Sequence, residues 1–409
     1  MHRITIIGGG FAGLIAAITA AEAGAKVTVY EAHHTLGGRA RTAEGPYRTN
    51  EGPHALYKGG PHWTWLRQRD LIGELAPLPP LEAARLRLRH KGALRRTPPF
   101  AMLKLLRRTA EQAPVDQDFK TWATNIAGEE GATAAAHYSA VALFHHDPGT
   151  LSAAFVQERL RRATKLPPEA HYPRGGWARV IDRMAARAWN LGVRVETLTR
   201  VYALPNLPSS IPSGAPADLP SSLPTDRGPV IVATSLDAAR TLLRDSSLTW
   251  TSGRTALLDL ALRTRRGDAF AVSDLDAPGW IERFTAQDRT LAPAGEQLLQ
   301  GQIPIAPHES RADGITRAEE LLDLAFPAWR DRVTYRREAL ANGRTGAVDL
   351  PGTSWRDRPR IDRGDGVYLA GDQVAAPGVL SEVSFNSALE AVSLALGTRT
   401  RQSVDLKHA

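Results

Sequence analysis

Three glycines and one acid near the start of the chain have the types and spacing to hold a dinucleotide. The run "GGGFAG" sets Gly8, Gly10 and Gly13, with Phe11 and Ala12 between them, in a G-x-G-x-x-G pattern. The first glycine of such a pattern permits a tight turn, and the second lets a pyrophosphate approach the backbone. The third lets a helix pack closely on a strand, and the helix start then faces the phosphates. Glu31 follows at about the 20-residue distance where a ribose hydroxyl needs an acceptor.

A second device lies directly behind that acid, in "EAHHTLGGRART". Gly37 and Gly38 allow another close backbone approach, and Arg39 adds a fixed cation with a planar fork of donors. This suits a cofactor whose diphosphate is held from both sides. A glycine turn carrying a surface arginine is the plainer reading, and spacing alone leaves NAD and FAD both open.

The elements needed to position these residues are legible. Arg3–Ile7 reads as a buried strand, residues 10–24 as a helix, and Lys26–Tyr30 as a second strand. "RLRLRHKGALRR" alternates and turns at Lys91-Gly92, which predicts a hairpin, and a helix is expected over 100–112. Residues 119–164 carry helical periodicity broken at "HHDPGT". A helix from Ala178 stops at Gly192 and leads into a strand from Val193. Residues 204–229, rich in proline and serine, predict a flexible surface loop. "PVIVAT" returns to a strand, residues 255–345 mix strands with a helix near 318–326, "GVYLAGD" is a last buried strand, and 384–396 a last helix.

At 409 residues, 43% hydrophobic and 23% charged, the chain reads as a soluble globular protein of two domains. It has no cysteine, which excludes disulfides, thiolate metal sites, Fe–S clusters and a cysteinyl-linked cofactor. The net charge is +8, yet no zinc-finger, basic-zipper or RNP pattern points to nucleic acid. The excess is concentrated from Arg85 to Arg108, where nine basic residues occur without an acid. A solvated hairpin and helix face is the simplest account; peripheral contact with a membrane or an anionic substrate is the other. Glycines 8–10 break the apolar N-terminus, and no run of about 18 apolar residues occurs elsewhere. The reading is a cytoplasmic protein.

From Ile6 to Thr42 the sequence resembles, nearly position for position, the N-terminal signature of the FAD-dependent flavin amine oxidase, phytoene desaturase and protoporphyrinogen oxidase superfamily. The resemblance implies an α/β fold with two domains, a Rossmann-like (GR2-type) FAD-binding domain and a mixed α+β substrate domain. It implies non-covalent FAD, with Gly37, Gly38 and Arg39 along the diphosphate. "NEGPHALY" is similar to the segment beside the isoalloxazine, which implies cofactor contacts at Gly52, Pro53 and His54. "RVYAL" with "VIVAT" resembles the adenine-holding strand, placed at Val201. "GVYLAGDQVAAPGVLSEVSFNSALEAV" resembles the C-terminal motif, with Gly371 and Asp372 at the diphosphate and ribityl chain. The last helix there points its start at the flavin pyrimidine edge, near Glu382 and Val383. The implied FAD-binding domain covers 1–58, 170–240 and 350–409, and the substrate domain 59–169 and 241–349. The match is good over the first and last sixty residues and near 175–235, and only outlined in the substrate regions.

Within that superfamily two absences separate branches. Amine oxidases carry a lysine in the second substrate segment, whereas no lysine lies here between Lys165 and Lys407. They also place an aromatic ring after the C-terminal glycine, where this chain reads Gly378-Val379-Leu380. The desaturase side is therefore favoured: hydride transfer from a hydrophobic small molecule to flavin N5, in an apolar pocket, with an unassigned electron acceptor. His54 is the one catalytic candidate, able to move a proton near neutral pH, though it could simply pack beside the flavin. His145-His146-Asp147 lacks a third ligand at metal-binding spacing, so no metal is expected. Trp355 is a further pocket candidate. A flavin amine oxidase, a flavin-free relative of the GDP-dissociation inhibitors that binds a lipidated partner, and a nicotinamide-only dehydrogenase are the alternatives.

Overall fold

The computed structural model describes residues 2–52, 55–107, 112–165, 168–204 and 228–398, which form two compact units. The first comprises 1–38, 181–249 and 359–409, and the second 39–180 and 250–358.

The first unit is built on a five-stranded parallel sheet, in the order Val367–Leu369, Val230–Val232, Arg3–Ile7, Lys26–Tyr30 and Arg194–Glu196. A parallel sheet covered on both faces needs strands of continuous β-branched residues. Ile4, Ile6, Val29, Val230 and Ile231 supply them, all essentially free of solvent. The helix Phe11–Glu22 is apolar around most of its circumference and packs against the last helix, Ser381–Ala395. Strand order reverses about Arg3–Ile7, which opens a crevice at the carboxyl ends of that strand and Val230–Val232.

One sequence expectation fails here. Residues 200–202, read as a strand ending in "RVYAL", are irregular. Beyond Glu196 the chain leaves the sheet at Leu198, left-handed at φ 54°. The Leu198 amide then donates to His33 O at 3.1 Å and the Thr199 amide to Glu31 O at 2.8 Å. These bonds take the donors that a continuing strand would need. The proline- and serine-rich stretch 205–227 lies outside the described residues.

The second unit holds a seven-stranded sheet in the order Val333–Ala347, Ser252–Arg263, Glu296–Pro304, Gly279–Arg283, Ala271–Asp274, Leu86–His90 and Ala93–Arg95. The expected hairpin at Lys91-Gly92 is present, but it extends this sheet through a parallel pairing of Leu86–His90 with Ala271–Asp274. Its cations meet acids from elsewhere in the chain: Arg85 with Glu82 at 3.0 Å, Arg89 with Asp274 at 2.9 Å and Lys91 with Glu130 at 2.9 Å. Arg108 lies outside the described residues. A helical layer of Phe100–Arg107, Phe119–Leu143 and Ala153–Thr164 closes its own core around Phe119, Leu143, Val156 and Leu160. Among the described residues no helix is long and apolar enough to cross a membrane.

Residues 39–52 and 55–58 fold with this second unit, where the sequence reading placed 1–58 together in the nucleotide-binding domain. The reason is bonding: Tyr47 donates to Glu296 at 2.8 Å, the Arg48 amide to Leu291 O at 2.9 Å, and the Ala178 amide to Thr42 Oγ1 at 3.0 Å.

Arg358 and Asp349 form a two-pronged ion pair at 2.9 and 2.8 Å, with side chains 2% and 6% exposed. Removing one member strands the other charge without water. Asp349→Ala should therefore lower the unfolding free energy by about 3–5 kcal/mol in a urea titration.

Candidate functional site

Two of the three pattern glycines are required by the protein's own packing. Gly8 sits at φ 104°, donates to Tyr30 O at 2.8 Å, and has no room for a side chain, since a Cβ would lie 2.5 Å from Ala233 O. At Gly13 a Cβ would lie 1.9 Å from Gly8 O, which is how closely the helix approaches the strand end. Gly10 differs. Its φ of −75° and ψ of −175° suit any residue, and a Cβ there would meet nothing nearer than 3.9 Å. The space above Gly10 is thus open to a ligand. The helix it begins has no side-chain cap and no acid in its first turn, which leaves a positive terminus for an anion.

The second glycine pair belongs to the same cradle. The Gly37 amide donates to Gly9 O at 2.8 Å, and Gly10 and Gly37 form a parallel bridge. Gly38, left-handed at φ 55°, comes so near that its Cβ would lie 3.3 Å from Gly10 Cα.

Glu31 is buried, with Oε2 accepting from the Gly9 amide at 2.7 Å and Oε1 from the His33 amide at 2.9 Å. Each oxygen keeps a second lone pair, so the carboxylate can brace the glycine turn and still accept from a ribose hydroxyl. Gly371 and Asp372 follow the strand Val367–Leu369, and with Val232, Thr234, Leu369 and Gln373 they line a small cleft at the strand ends. The Gly371 amide bonds Ser387 Oγ at 3.0 Å, which ties this turn to the last helix. At the start of that helix Leu380 has a positive φ of 53° with ψ −115°, Val383 is buried, and buried Glu382 accepts from the Val379 amide at 3.0 Å. That carboxylate shapes the turn that opens the helix.

Arg39 directly follows Gly38 of the cradle in the chain. Arg39 and Gly52 lie in the second unit and touch backbone to backbone, a Gly52 Cβ falling 2.5 Å from Arg39 O. Pro53 and His54 lie outside the described residues. Val201 sits in irregular chain, partly exposed. His145 Nδ1 bonds the backbone of Asp147 in a helix-ending turn.

Sequence reasoning missed a polar sheet face in the second unit. One side of the seven-stranded sheet is hydrocarbon: Leu258, Leu260, Ile281, Leu299 and Ile303 pack on the helix Arg311–Ala325. On the other side, cross-strand register sets Arg337, Asp259, Gln300 and Glu282 in one row. Asp259 accepts from Arg337 Nε at 2.7 Å and Gln300 Nε2 at 2.5 Å, and burial raises its pKa in spite of that arginine. Glu282 accepts from Trp280 Nε1 at 3.0 Å, Gln287 Nε2 at 3.2 Å and Tyr172 Oη at 3.3 Å. Burial pushes its pKa up to about 7.

Residues 6–71 match the family model described as an NAD(P)-binding Rossmann-like domain. Against the curated proteins the sequence has no significant match. Among solved structures, an oxidoreductase from Methanosarcina mazei superposes with a TM-score of 0.75 at 17% identity, covering 95% of this chain and 99% of that one. Cyclohexylamine oxidase from Brevibacterium oxydans IH-35A gives 0.69 at 18% identity, covering 97% and 99%. A Rab GDI from Plasmodium falciparum gives 0.56 at 10% identity, covering 97% and 98%. At such identities the likeness establishes the fold: α/β, with a Rossmann-like nucleotide-binding unit and a second unit of mixed sheet and helices.

The two kinds of glycine separate in mutation. Gly10→Ala should cost no more than about 1 kcal/mol of stability yet remove dinucleotide binding, because the methyl occupies ligand space. Gly13→Ala should destabilise the fold itself. Thermal melting alongside nucleotide retained on purification distinguishes the two.

Proposed function

We propose that the chain is an FAD-dependent oxidoreductase, a desaturase or dehydrogenase acting on a small molecule with a hydrophobic body. The observation that carries the reading is the double glycine cradle, in which Gly37-Gly38 lies against Gly10 behind a buried ribose acid. A nicotinamide dinucleotide needs only the first glycine turn. The second is consistent with the longer grip on FAD that the sequence resemblance implies.

The residues fit that group. The start of Phe11–Glu22 and the amides about Gly10 would take the diphosphate, Glu31 the adenosine ribose, and Gly371-Asp372 the far side of the diphosphate and the ribityl chain. The start of Ser381–Ala395 would favour negative charge on a flavin pyrimidine edge. When bound, FAD supplies the hydride acceptor; the protein supplies orientation and exclusion of water. A flavin amine oxidase is the second reading. The missing lysine weighs against it, and the aromatic side chains beside Glu282 weigh for it.

The test is an absorption spectrum of the purified protein before and after denaturation. Flavin bands, with FAD released free on unfolding, are the expected outcome. A protein that stays colourless after addition of FAD would sink the redox reading and favour a fold relative that binds a lipidated partner.

A further inference from the structure

The second unit contains a carboxyl that its own fold leaves half answered. Glu282 is 4% exposed, and its three partners are all uncharged. No lysine, arginine or histidine among the described residues forms an ion pair with it. Asp259, in the same row, has a cation, Arg337, beside it as well as Gln300. Buried carboxyls are ordinarily paired, because the charge otherwise bears the whole loss of hydration.

Lone-pair accounting locates what is missing. Oε2 of Glu282 receives both the Trp280 indole and the Tyr172 hydroxyl, which fills its two acceptor positions. Oε1 receives only the Gln287 amide. One acceptor position therefore remains, on Oε1. Around it Tyr57, Tyr172, Trp280 and Gln287 are each partly exposed. Three of those four are aromatic, with π faces that suit a cation or an N–H or O–H group.

We propose that Glu282, framed by Tyr172 and Trp280, binds a ligand whose head group presents an N–H or O–H donor to Oε1, and that this donor displaces the carboxyl proton. This rests on the oxidoreductase reading, under which the substrate is an apolar body with a heteroatom head, not a bare hydrocarbon. The exchange balances: the proton leaves Glu282 for solvent, and the donor's hydrogen bond takes its place.

The tyrosines at the site stay protonated through the neutral range. Burial holds Tyr172 well above its ordinary value and pushes Tyr57 up to about 12 despite nearby Arg162. Glu169 acts on Tyr57, and Arg283 points to the other sheet face, where it bonds Ala269 O. His171 alternates away from Tyr172 and packs on Trp63. With a carboxyl titrating at about 7, about one tenth is ionised at pH 6 and about nine tenths at pH 8, so donor affinity should rise about tenfold over that range.

The experiment is calorimetric titration of the full-length protein at pH 6 and pH 8 with benzylamine, benzyl alcohol and benzyl methyl ether, recording flavin absorbance on each sample. Benzylamine stays cationic throughout. The expected result is an approximately tenfold gain for a donor probe with proton release at pH 6, at least tenfold weaker binding of the ether, and no pH dependence in E282Q. Whichever of amine and alcohol shows the gain identifies the head. Equal binding of the ether, pH-independent binding of both donors, no binding of either, or linkage surviving in E282Q overturns the proposal. Should E282Q fail to melt cooperatively, the protonated-carboxyl infrared band of the wild type decides: it should vanish when benzylamine is added at pH 6, and its persistence overturns the idea. A colourless protein that keeps the linkage would refute the flavin reading and leave this site standing.

Discussion

The nucleotide-binding unit depends on one backbone contact, the approach of Gly13 to the carbonyl of Gly8. A Cβ at Gly13 would overlap that oxygen at 1.9 Å, so the helix can seat on the strand end only without one. That seating fixes where the helix start points, and hence where its unbonded amides converge. It also sets the height of Gly9, whose amide reaches Glu31 and whose carbonyl receives Gly37. Two chain segments separated by nearly thirty positions are thereby locked into one anion-sized concavity. The cradle follows from close packing of backbone on backbone, braced by the one buried carboxylate of Glu31.

The second unit follows a different constraint, the unequal burial of the two faces of its sheet. Strand alternation sends Leu258, Leu260, Ile281 and Leu299 to the helix and Asp259, Gln300 and Glu282 to the opposite side. That opposite side is still covered, by Tyr47, Tyr172, Phe284 and Leu291. Polar groups under a partly aromatic cover must be hydrogen-bonded or become costly. Asp259 meets the condition within the chain. Glu282 is hydrogen-bonded but has no cation beside it among the described residues, and there a structural role and a binding role diverge.

The first unit was legible in the sequence because its signals are local. Arg3–Ile7 and Lys26–Tyr30 have the bounds that hydrophobic pattern predicts, and the glycines and Glu31 fall where a strand–turn–helix–strand unit needs them. The failure at 200–202 has a local disguise and a remote cause: the residues have strand propensity, but amides just before them are taken by carbonyls of His33 and Glu31. The polar sheet face was illegible for a related reason. Alternating polar residues in a strand ordinarily mark the solvent side. Only contacts across 110 positions, from Tyr172 to Glu282, and 249 positions, from Tyr47 to Glu296, reveal that this side is covered. The hairpin cations likewise read as a solvated basic run until Asp274 and Glu130 are brought beside them.

Glu31 holds the amides of Gly9 and His33 within the protein itself. The loop carrying the first glycine turn and the chain leading to the second are therefore ordered at folding, with their conformational entropy already lost. An arriving dinucleotide meets a preset concavity and forfeits little of its binding energy to ordering the chain. Such a pocket discriminates by shape: a ligand too bulky at its diphosphate finds rigid walls, and a shorter one gains nothing from loops closing around it.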